Sequence, residues 1–319
     1  MKNVLPFLIL PLAIASAETF SFNHENVLGT SMELRISANS ETTAKKAEAS
    51  VLAEIDRLAA TLSTWSADSE ISRWIASGKT GPISVDLAAV LKACDHWTAN
   101  SQGAFSIQVK PDPKDITVDA LAKGYIIDRA IEKAIGGVDA ISLNIGGDLR
   151  TTGMETVSIA DPRNAAENAT PLTKVTLHGQ SLATSGGYRR GDHIIDPRTG
   201  KPATHIASAS VVADDATTAD ALATIFNVLQ PAESIAMANS LHGVSCLIAT
   251  RQGEIFRSNE WRDAAPANVL TAADGPGFEM TVDFELDKPE AERYLRPYVA
   301  IWIEDKDDFP VRTLSLWLL

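Results

Sequence analysis

Sequence patterns typical of helices occur in groups along the chain, and runs of short strand-like patterns lie between these groups. Three amphipathic segments come first, and residues 42–62 carry apolar side chains at helical spacing on one face. A second helix is expected from a Ser84 cap to near Gly103, and a third from an Asp119 cap to Gly136. Two further helices are expected later, at 217–229 and 231–241.

Strand patterns fill most of the remaining sequence. Short strands are expected at 140–145, 156–160, 174–177, 193–195 and 207–213, with a hairpin at 244–250 and 254–257 around a Gln-Gly turn. Helices and strands that are grouped and do not alternate regularly are typical of an α+β fold. We therefore expect mixed sheets with helices packed outside them, and a short β appendage after about residue 269.

The two ends of the chain differ from its middle. Residues 1–17 have a positive start at Lys2, a short apolar stretch and a small-residue Ala15-Ser16-Ala17 site, which indicates a secretory signal peptide. That stretch is too short to span a bilayer, no Cys follows the site, and no later segment is apolar enough to cross a membrane. We expect a soluble, periplasmic protein.

These patterns suggest four segments. After the signal peptide at 1–17, a main domain is expected at 18–262. Residues 263–277 have the composition of a linker. Strands are expected at 278–286, 298–304 and 311–319, which would form a partial β domain at 278–319.

Charge and cysteine content narrow the function. The net charge of −13 repels phosphate backbones and anionic lipid, so binding to nucleic acid or membrane surfaces is not expected. An anionic small ligand would need backbone donors or a divalent cation.

Cys94 and Cys246 each lie in an apolar run. Burial as small hydrophobic side chains is favoured over a disulfide, although an oxidising compartment would permit one.

Taken singly, the candidate site residues are ambiguous. Asp220 and Thr224 are four residues apart on an expected helix, and their oxygens suit a hard cation such as Mg²⁺. The alternative is purely structural: Asp220 would lie in the first turn of the helix, and the Thr224 hydroxyl would bond to a backbone carbonyl of the preceding turn. A lone His193, at the start of a short strand, is more often structural than catalytic, and in that role it would tie down the following turn through Asp196. Likewise, 146–148 (GGD) more often forms only a turn.

Five segments stand in a fixed order along the chain: 119–128 (DALAKGYIID), 144–148 (NIGGD), 183–186 (ATSG), 193–200 (HIIDPRTG) and 219–224 (ADALAT). Two weaker motifs precede them, at 28–30 (LGT) and 62–72 (LSTWSADSEIS). In this order, the segments strongly resemble the ApbE family of FAD:protein FMN transferases. The resemblance runs from about residue 28 to 248. The tail from Phe278 is similar to the start of a small β domain of unknown function that is often fused behind ApbE domains.

The resemblance implies a site and a reaction. It assigns Mg²⁺ to Asp220, an oxygen of Thr224 and the backbone oxygen of Ala120, and it makes His193 the general base. FAD, the substrate, would lie against Leu28, Ser63, Thr64, Trp65, Asp68, Lys123, Thr184, Ser185 and Gly186. The FMN part of FAD would pass to a Thr or Ser hydroxyl of an acceptor protein carrying a D-G-x-S/T-G-A-T segment, and AMP would leave.

Three departures from the family pattern keep other functions open. Ser106 stands where the family has Asp after G-A-F, Gly187 replaces the Asp of S-G-D-Y, and 107–118 is a much shorter connection than usual. The alternatives are an FAD pyrophosphatase that yields FMN and AMP, and a non-catalytic periplasmic protein that only binds FAD.

Overall fold

The computed structural model describes residues 17–108, 116–164, 169–187, 191, 193–264, 298–304 and 310–318. They divide into two compact units. The first contains the described residues up to Val157 together with Thr176–Arg262, and the second contains those of Ser158–Val175 and Asp263–Leu319.

An eight-stranded sheet forms the frame of the first unit. Its strands, in chain order, are β1 (Glu18–Val27), β2 (Thr30–Ala38), β3 (Ala140–Ile145), β4 (Asp148–Thr151), β7 (Ser181–Ser185), β10 (Ile206–Ala213), β11 (Ser245–Thr250) and β12 (Ile255–Arg257). Neighbours in the sheet follow this same order, and each pair is antiparallel. Four further strands lie outside this sheet: β5 (Met154–Ile159) pairs with β6 (Thr173–His178), and β8 (Ile195–Asp196) pairs with β9 (Lys201–Pro202).

Six helices occur among the described residues: α1 (Glu41–Leu62), α2 (Glu70–Ala76), α3 (Val85–Asn100), α4 (Asp119–Ala134), α5 (Ala216–Val228) and α6 (Pro231–Ser240). The first four lie between β2 and β3, and the last two lie between β10 and β11. The predicted Ser84 cap is confirmed, since its hydroxyl accepts a hydrogen bond from Leu87 N at 3.2 Å. The predicted Asp119 cap is wrong, because Asp119 is the first residue of α4 and Val118 holds the cap position without a side-chain bond.

One core joins the sheet to α1, α3, α4 and α5. Along α1 the buried positions follow the helical period, at Ala44, Ala47, Val51, Ile55, Leu58 and Leu62. Helices α4 and α5 approach each other closely where Gly124 of α4 faces Ala216 at the start of α5. A Cβ placed at Gly124 would stand 2.2 Å from the Ala216 carbonyl oxygen, so only glycine permits this contact.

The second unit contains parts of β5 and β6 and the hairpin β13 (Tyr298–Glu304) and β14 (Pro310–Leu318). Within it, the Asp263 carboxylate accepts a hydrogen bond from the Thr173 hydroxyl at 2.9 Å, and Ala264 N donates to Lys174 O at 2.7 Å. Both predicted strands near the C-terminus that fall on described residues are confirmed. The predicted strand at 278–286 lies outside the described residues.

The predicted α+β class is confirmed. Sequence patterns missed β1, β2, β4, β7, β9 and α2. The strand expected at 193–195 is wrong, because β8 begins only at Ile195. Cys94 and Cys246 are buried and free, in agreement with the favoured interpretation. No helix among the described residues is both long and apolar enough to span a membrane.

Candidate functional site

Asp220 lies in the middle of α5 and is almost fully buried, at 5% exposure. Its helix begins at an Asp215 cap, whose carboxylate accepts a hydrogen bond from Thr218 N at 2.7 Å. The Oδ2 atom of Asp220 accepts a hydrogen bond from Gly124 N at 3.0 Å. The close contact at Gly124 therefore sets α4 directly against the carboxylate that the sequence singled out.

Lys123, which is half-buried, and Asp148, which is buried, form an ion pair beside this carboxylate. The Lys123 ammonium lies 2.6 Å from Asp148 Oδ2, and the Asp148 side chain is only 5% exposed. Asp148 opens β4 immediately after the Gly146-Gly147 turn. Its other oxygen accepts a long hydrogen bond, 3.4 Å, from Thr184 N on the neighbouring strand β7. The polar side chains of Lys123, Asp148 and Asp220 are thus brought together by α4, by the paired strands β4 and β7, and by α5.

Burial and a neighbouring carboxylate dominate the electrostatics of Asp220. Burial raises the pKa of Asp220 well above its usual value, and the negative charge of Asp148 adds to the rise. The charge of Lys123 and the Gly124 N–H oppose it, and Asp119 raises it slightly more. The buried carboxylates of Asp148 and Asp220 and the ammonium of Lys123 lie near one another, and a divalent cation at this position would offset the negative charge of the carboxylates.

The other two predicted metal ligands lie on the same two helices. Ala120 precedes Gly124 by one helical turn, about 6 Å along the axis. Thr224 follows Asp220 by one turn and is half-buried on the same face of α5. Within the described part of the chain, no three His, Cys, Asp or Glu side chains form a group that could hold a metal. The predicted donor set, with one carboxylate, one threonine oxygen and one carbonyl, is of a different kind and fits Mg²⁺.

Two tight turns lie side by side at one end of the sheet. Leu28 and Gly29 form the β1–β2 turn with φ angles of 50° and 77°, in the left-handed region. The β3–β4 turn passes next to it, since a Cβ at Gly146 would lie 2.7 Å from the Thr30 side chain. The motif at 28–30 therefore contacts the motif that carries Asp148, and Leu28 is 36% exposed there.

The segment after α1 approaches α4 through one residue. The Thr64 hydroxyl donates a 3.4 Å hydrogen bond to Asp119 Oδ1. Ser63 ends α1, and its hydroxyl accepts a hydrogen bond from Trp65 N at 3.3 Å. Trp65 is 89% exposed, and Asp68 contributes its carbonyl oxygen to Arg73. Of these four predicted cleft residues, Thr64 is the one with a described contact to the residues around Asp220.

On strand β7, the predicted cleft residues are held mainly by backbone contacts. The Thr184 hydroxyl pairs with Ser210 Oγ at 2.8 Å, so its backbone N–H is the group that faces Asp148. The Ser185 carbonyl accepts a hydrogen bond from Asn227 of α5 at 2.9 Å. A Cβ at Gly186 would lie 2.2 Å from the Ala207 carbonyl oxygen, so this glycine is required by packing.

His193 lies in an exposed loop. Its Nδ1 atom is 3.0 Å from Gly191 O, and the described contacts include none between His193 and the residues around Asp220. The alternative role of tying the turn to Asp196 is not seen either, since both Asp196 oxygens bind Arg198 at 2.9 Å. The geometry leaves the imidazole accessible to solvent and to a ligand.

Sequence reasoning missed two carboxylates at this site. Both stand within motifs of the family, but the sequence predicts only a helix cap for Asp119 and a turn for the segment that contains Asp148. Asp148 belongs to a Gly-Gly-Asp turn, and such turns are usually only structural. Burial of its carboxylate against a lysine 25 residues earlier becomes visible only once α4 packs on β4.

Comparison with known proteins gives two family matches. The model of the ApbE family matches residues 28–114 and 110–248. A second family, described as "Predicted periplasmic protein (DUF2271)", matches residues 279–318. The two matches lie one after the other along the chain.

Individual relatives agree with the family matches. The FAD:protein FMN transferase of Escherichia coli (strain K12) is 31% identical over 194 residues, which cover 54% of this chain and 54% of that protein. The chain spans about half the length of the curated relatives it matches first.

Solved structures show the same fold. The apo form of the Pseudomonas stutzeri flavinyl transferase ApbE has a TM-score of 0.65 at 20% identity, covering 78% of this chain and 97% of that one. The ApbE protein of Thermotoga maritima has a TM-score of 0.66 at 23% identity, covering 76% and 97%.

Proposed function

Because the chain belongs to the ApbE family, we propose that it transfers the FMN part of FAD to a Ser or Thr hydroxyl of an acceptor protein and releases AMP. The observation that carries this proposal is the convergence of Lys123, Asp148 and Asp220 from α4, β4 and α5. A site with two carboxylates and an ammonium can bind a cation together with a pyrophosphate. Without the cation, a strongly acidic chain would repel the pyrophosphate.

In this proposal the chain holds Mg²⁺ through Asp220, Thr224 and the Ala120 carbonyl. The ion would neutralise the phosphates and stabilise the leaving phosphate. Lys123 faces the nucleotide with its ammonium already oriented by Asp148. The cleft walls are the residues at Leu28, at 63–68 and at 184–186.

His193 acts as the general base in the transfer step. The acceptor hydroxyl oxygen forms a bond to the FMN phosphorus, the bond from that phosphorus to the AMP oxygen breaks, and the hydroxyl proton passes to the imidazole. The exposed position of His193 supports this role, because a protein acceptor must reach the base from solvent.

The chain's organisation and location are part of the same proposal. A signal peptide at 1–17 would direct export, with the transferase domain at 18–262, a linker at 263–277 and a partial β domain at 278–319. The match of the C-terminal segment to a family described as periplasmic supports this location. The acceptor would then be a periplasmic or periplasm-facing protein.

Incubation of the full chain with FAD, Mg²⁺ and a D-G-x-T-G-A-T peptide tests the activity. Transfer predicts a flavin-labelled peptide and one AMP per label, lost when the peptide Thr is replaced by Val or when EDTA is added. AMP without labelled peptide would identify a pyrophosphatase, and bound but intact FAD would identify a binding protein. Either result contradicts the proposal.

A further inference from the structure

Asp128 is a buried carboxylate on α4 that receives an unusual number of hydrogen bonds. Its Oδ1 accepts from Ala216 N at 2.8 Å, and its Oδ2 accepts from Thr217 N at 2.9 Å and from the Thr217 hydroxyl at 2.5 Å. These donors are the first residues of α5. A carboxylate at a helix N-terminus satisfies otherwise unpaired N–H groups and interacts favourably with the helix dipole.

The same carboxylate also binds a side chain of the sheet. Arg150 Nη1 lies 2.5 Å from Asp128 Oδ1, with the two side chains 21% and 9% exposed. Arg150 is two residues after Asp148 on β4, so both side chains point to the same face of the sheet. One side chain of α4 is therefore bonded to both α5 and β4.

We propose that Asp128 is a positioning residue for the site formed by Lys123, Asp148 and Asp220. Each of these three groups lies on one of the elements that Asp128 joins: Lys123 on α4, Asp148 on β4 and Asp220 on α5. This role rests on the proposed function, because it concerns how the predicted metal and nucleotide site is assembled.

Asp128 and its partners on α5 lie one helical turn from the residues of the site. Asp220 follows Ala216 by four residues, which is one helical turn, and Gly124 precedes Asp128 by one turn on α4. A shift of the first turn of α5 would therefore move the Asp220 carboxylate relative to the Gly124 N–H that now holds it at 3.0 Å. The described hydrogen bonds and ion pair of Asp128 reach Ala216, Thr217 and Arg150 and none of the predicted metal ligands, so its effect on those ligands passes through the helices.

Asp128→Asn is the direct test. An amide has one acceptor oxygen where the carboxylate has two, and its NH₂ group faces the α5 N–H donors, so the first turn of α5 loses partners. Glu132→Gln is the matched control. It removes a carboxylate from the same helix, but from an exposed pair with Arg129 that does not involve α5. Thr217→Val removes only the hydroxyl contact and serves as a milder variant should Asp128→Asn not fold.

Two measurements on the full chain separate the inference from the proposed function. Hydrogen exchange at the α5 amides, without metal or FAD, should be faster in Asp128→Asn and unchanged in Glu132→Gln. Mn²⁺ affinity, measured by calorimetry, should fall about 10- to 100-fold in Asp128→Asn, the usual cost of removing a residue that orients metal ligands. Thr217→Val should change both in the same direction by less.

Unchanged exchange in α5 would overturn the inference. So would faster exchange with wild-type Mn²⁺ affinity, because Asp128 would then only stabilise the fold. Failure of the proposed site would appear elsewhere: Asp220→Asn would bind Mn²⁺ as tightly as the wild type, or the wild type would not bind it. That result would remove the site that Asp128 is inferred to position, whatever the exchange rates show.

Discussion

Two groups of candidate residues differ sharply in how the fold holds them. Lys123, Asp148 and Asp220, here called the buried set, lie on helices and a strand and contact one another or the same backbone. Leu28, Trp65 and His193, here called the exposed set, lie in turns and loops at the surface. The buried set is held by contacts within the protein, whereas the exposed set has side chains open to solvent.

This difference predicts that the two sets contribute differently to stability and to activity. A buried, pre-oriented charge is strong because little solvent screens it, and it costs no rearrangement during reaction. An exposed side chain contributes mainly when a ligand covers it. Substitutions in the buried set should therefore affect both chemistry and stability, and those in the exposed set should affect chemistry or binding alone.

The largest effect is expected from Asp220→Asn. Transfer should fall by about 10³-fold or more, because losing one pre-oriented electrostatic group already costs about 10²–10³-fold, and Asp220 is also the predicted metal ligand. Peptide labelling with FAD at saturating Mg²⁺ measures this loss. Activity within tenfold of the wild type would place the metal elsewhere.

The same variant should be more stable than the wild type when metal is absent. The folded-state pKa of Asp220 is raised above its usual value near 3.8, so the protonated carboxyl favours the folded state. That contribution is complete below pH 3.8 and is lost as pH rises through the raised pKa. In EDTA, the Tm of Asp220→Asn should exceed that of the wild type at pH 7, with a smaller gap toward pH 4. A lower Tm at pH 7 would show that Asp220 has a structural role.

His193→Ala tests the exposed set. General-base catalysis is worth about 10²–10⁴-fold, so kcat should fall by that order while the KM for FAD stays the same. The free energy of unfolding should change by less than about 0.5 kcal/mol, as for other exposed positions. His178→Ala, at another exposed histidine, is the control and should keep wild-type activity. Full activity of His193→Ala between pH 6 and 8 would contradict the base assignment.

The sequence predicts the buried set and the exposed set to different extents. Helical spacing alone predicts that Asp220 and Thr224 share a face, and the structure places both on α5. Spacing could not predict the pair of Lys123 with Asp148, because that contact forms only when α4 packs on β4. The strand expected to carry His193 was wrong, since a short apolar run beside Pro and Gly carries too little periodicity to distinguish a strand from a loop.

Gly124→Ala should destabilise the contact on which the buried set depends. The added Cβ would meet the Ala216 carbonyl oxygen at 2.2 Å, so α4 and α5 must separate, at a cost of about 1–3 kcal/mol. A gain in helix propensity of about 1 kcal/mol offsets part of this cost. Gly136→Ala is the control, because a Cβ there meets nothing within 4 Å. Urea unfolding measures both, and equal stability of the two variants would contradict the close-contact argument.

Trp65→Ala should give the smallest effect and the cleanest separation of binding from folding. Trp65 is 89% exposed, so its removal should leave the free energy of unfolding within about 0.5 kcal/mol of the wild type. If Trp65 lines the FAD cleft, its ring can stack on a flat ligand, a contact worth about 0.5–1.5 kcal/mol. The KM for FAD should then rise about 2- to 10-fold with little change in kcat. Val85→Ala, at an apolar side chain that is 85% exposed on α3, is the control for losing surface area alone. Equal KM values for the two variants would remove Trp65 from the cleft, and a large loss of stability in Trp65→Ala would show that the tryptophan belongs with the buried set.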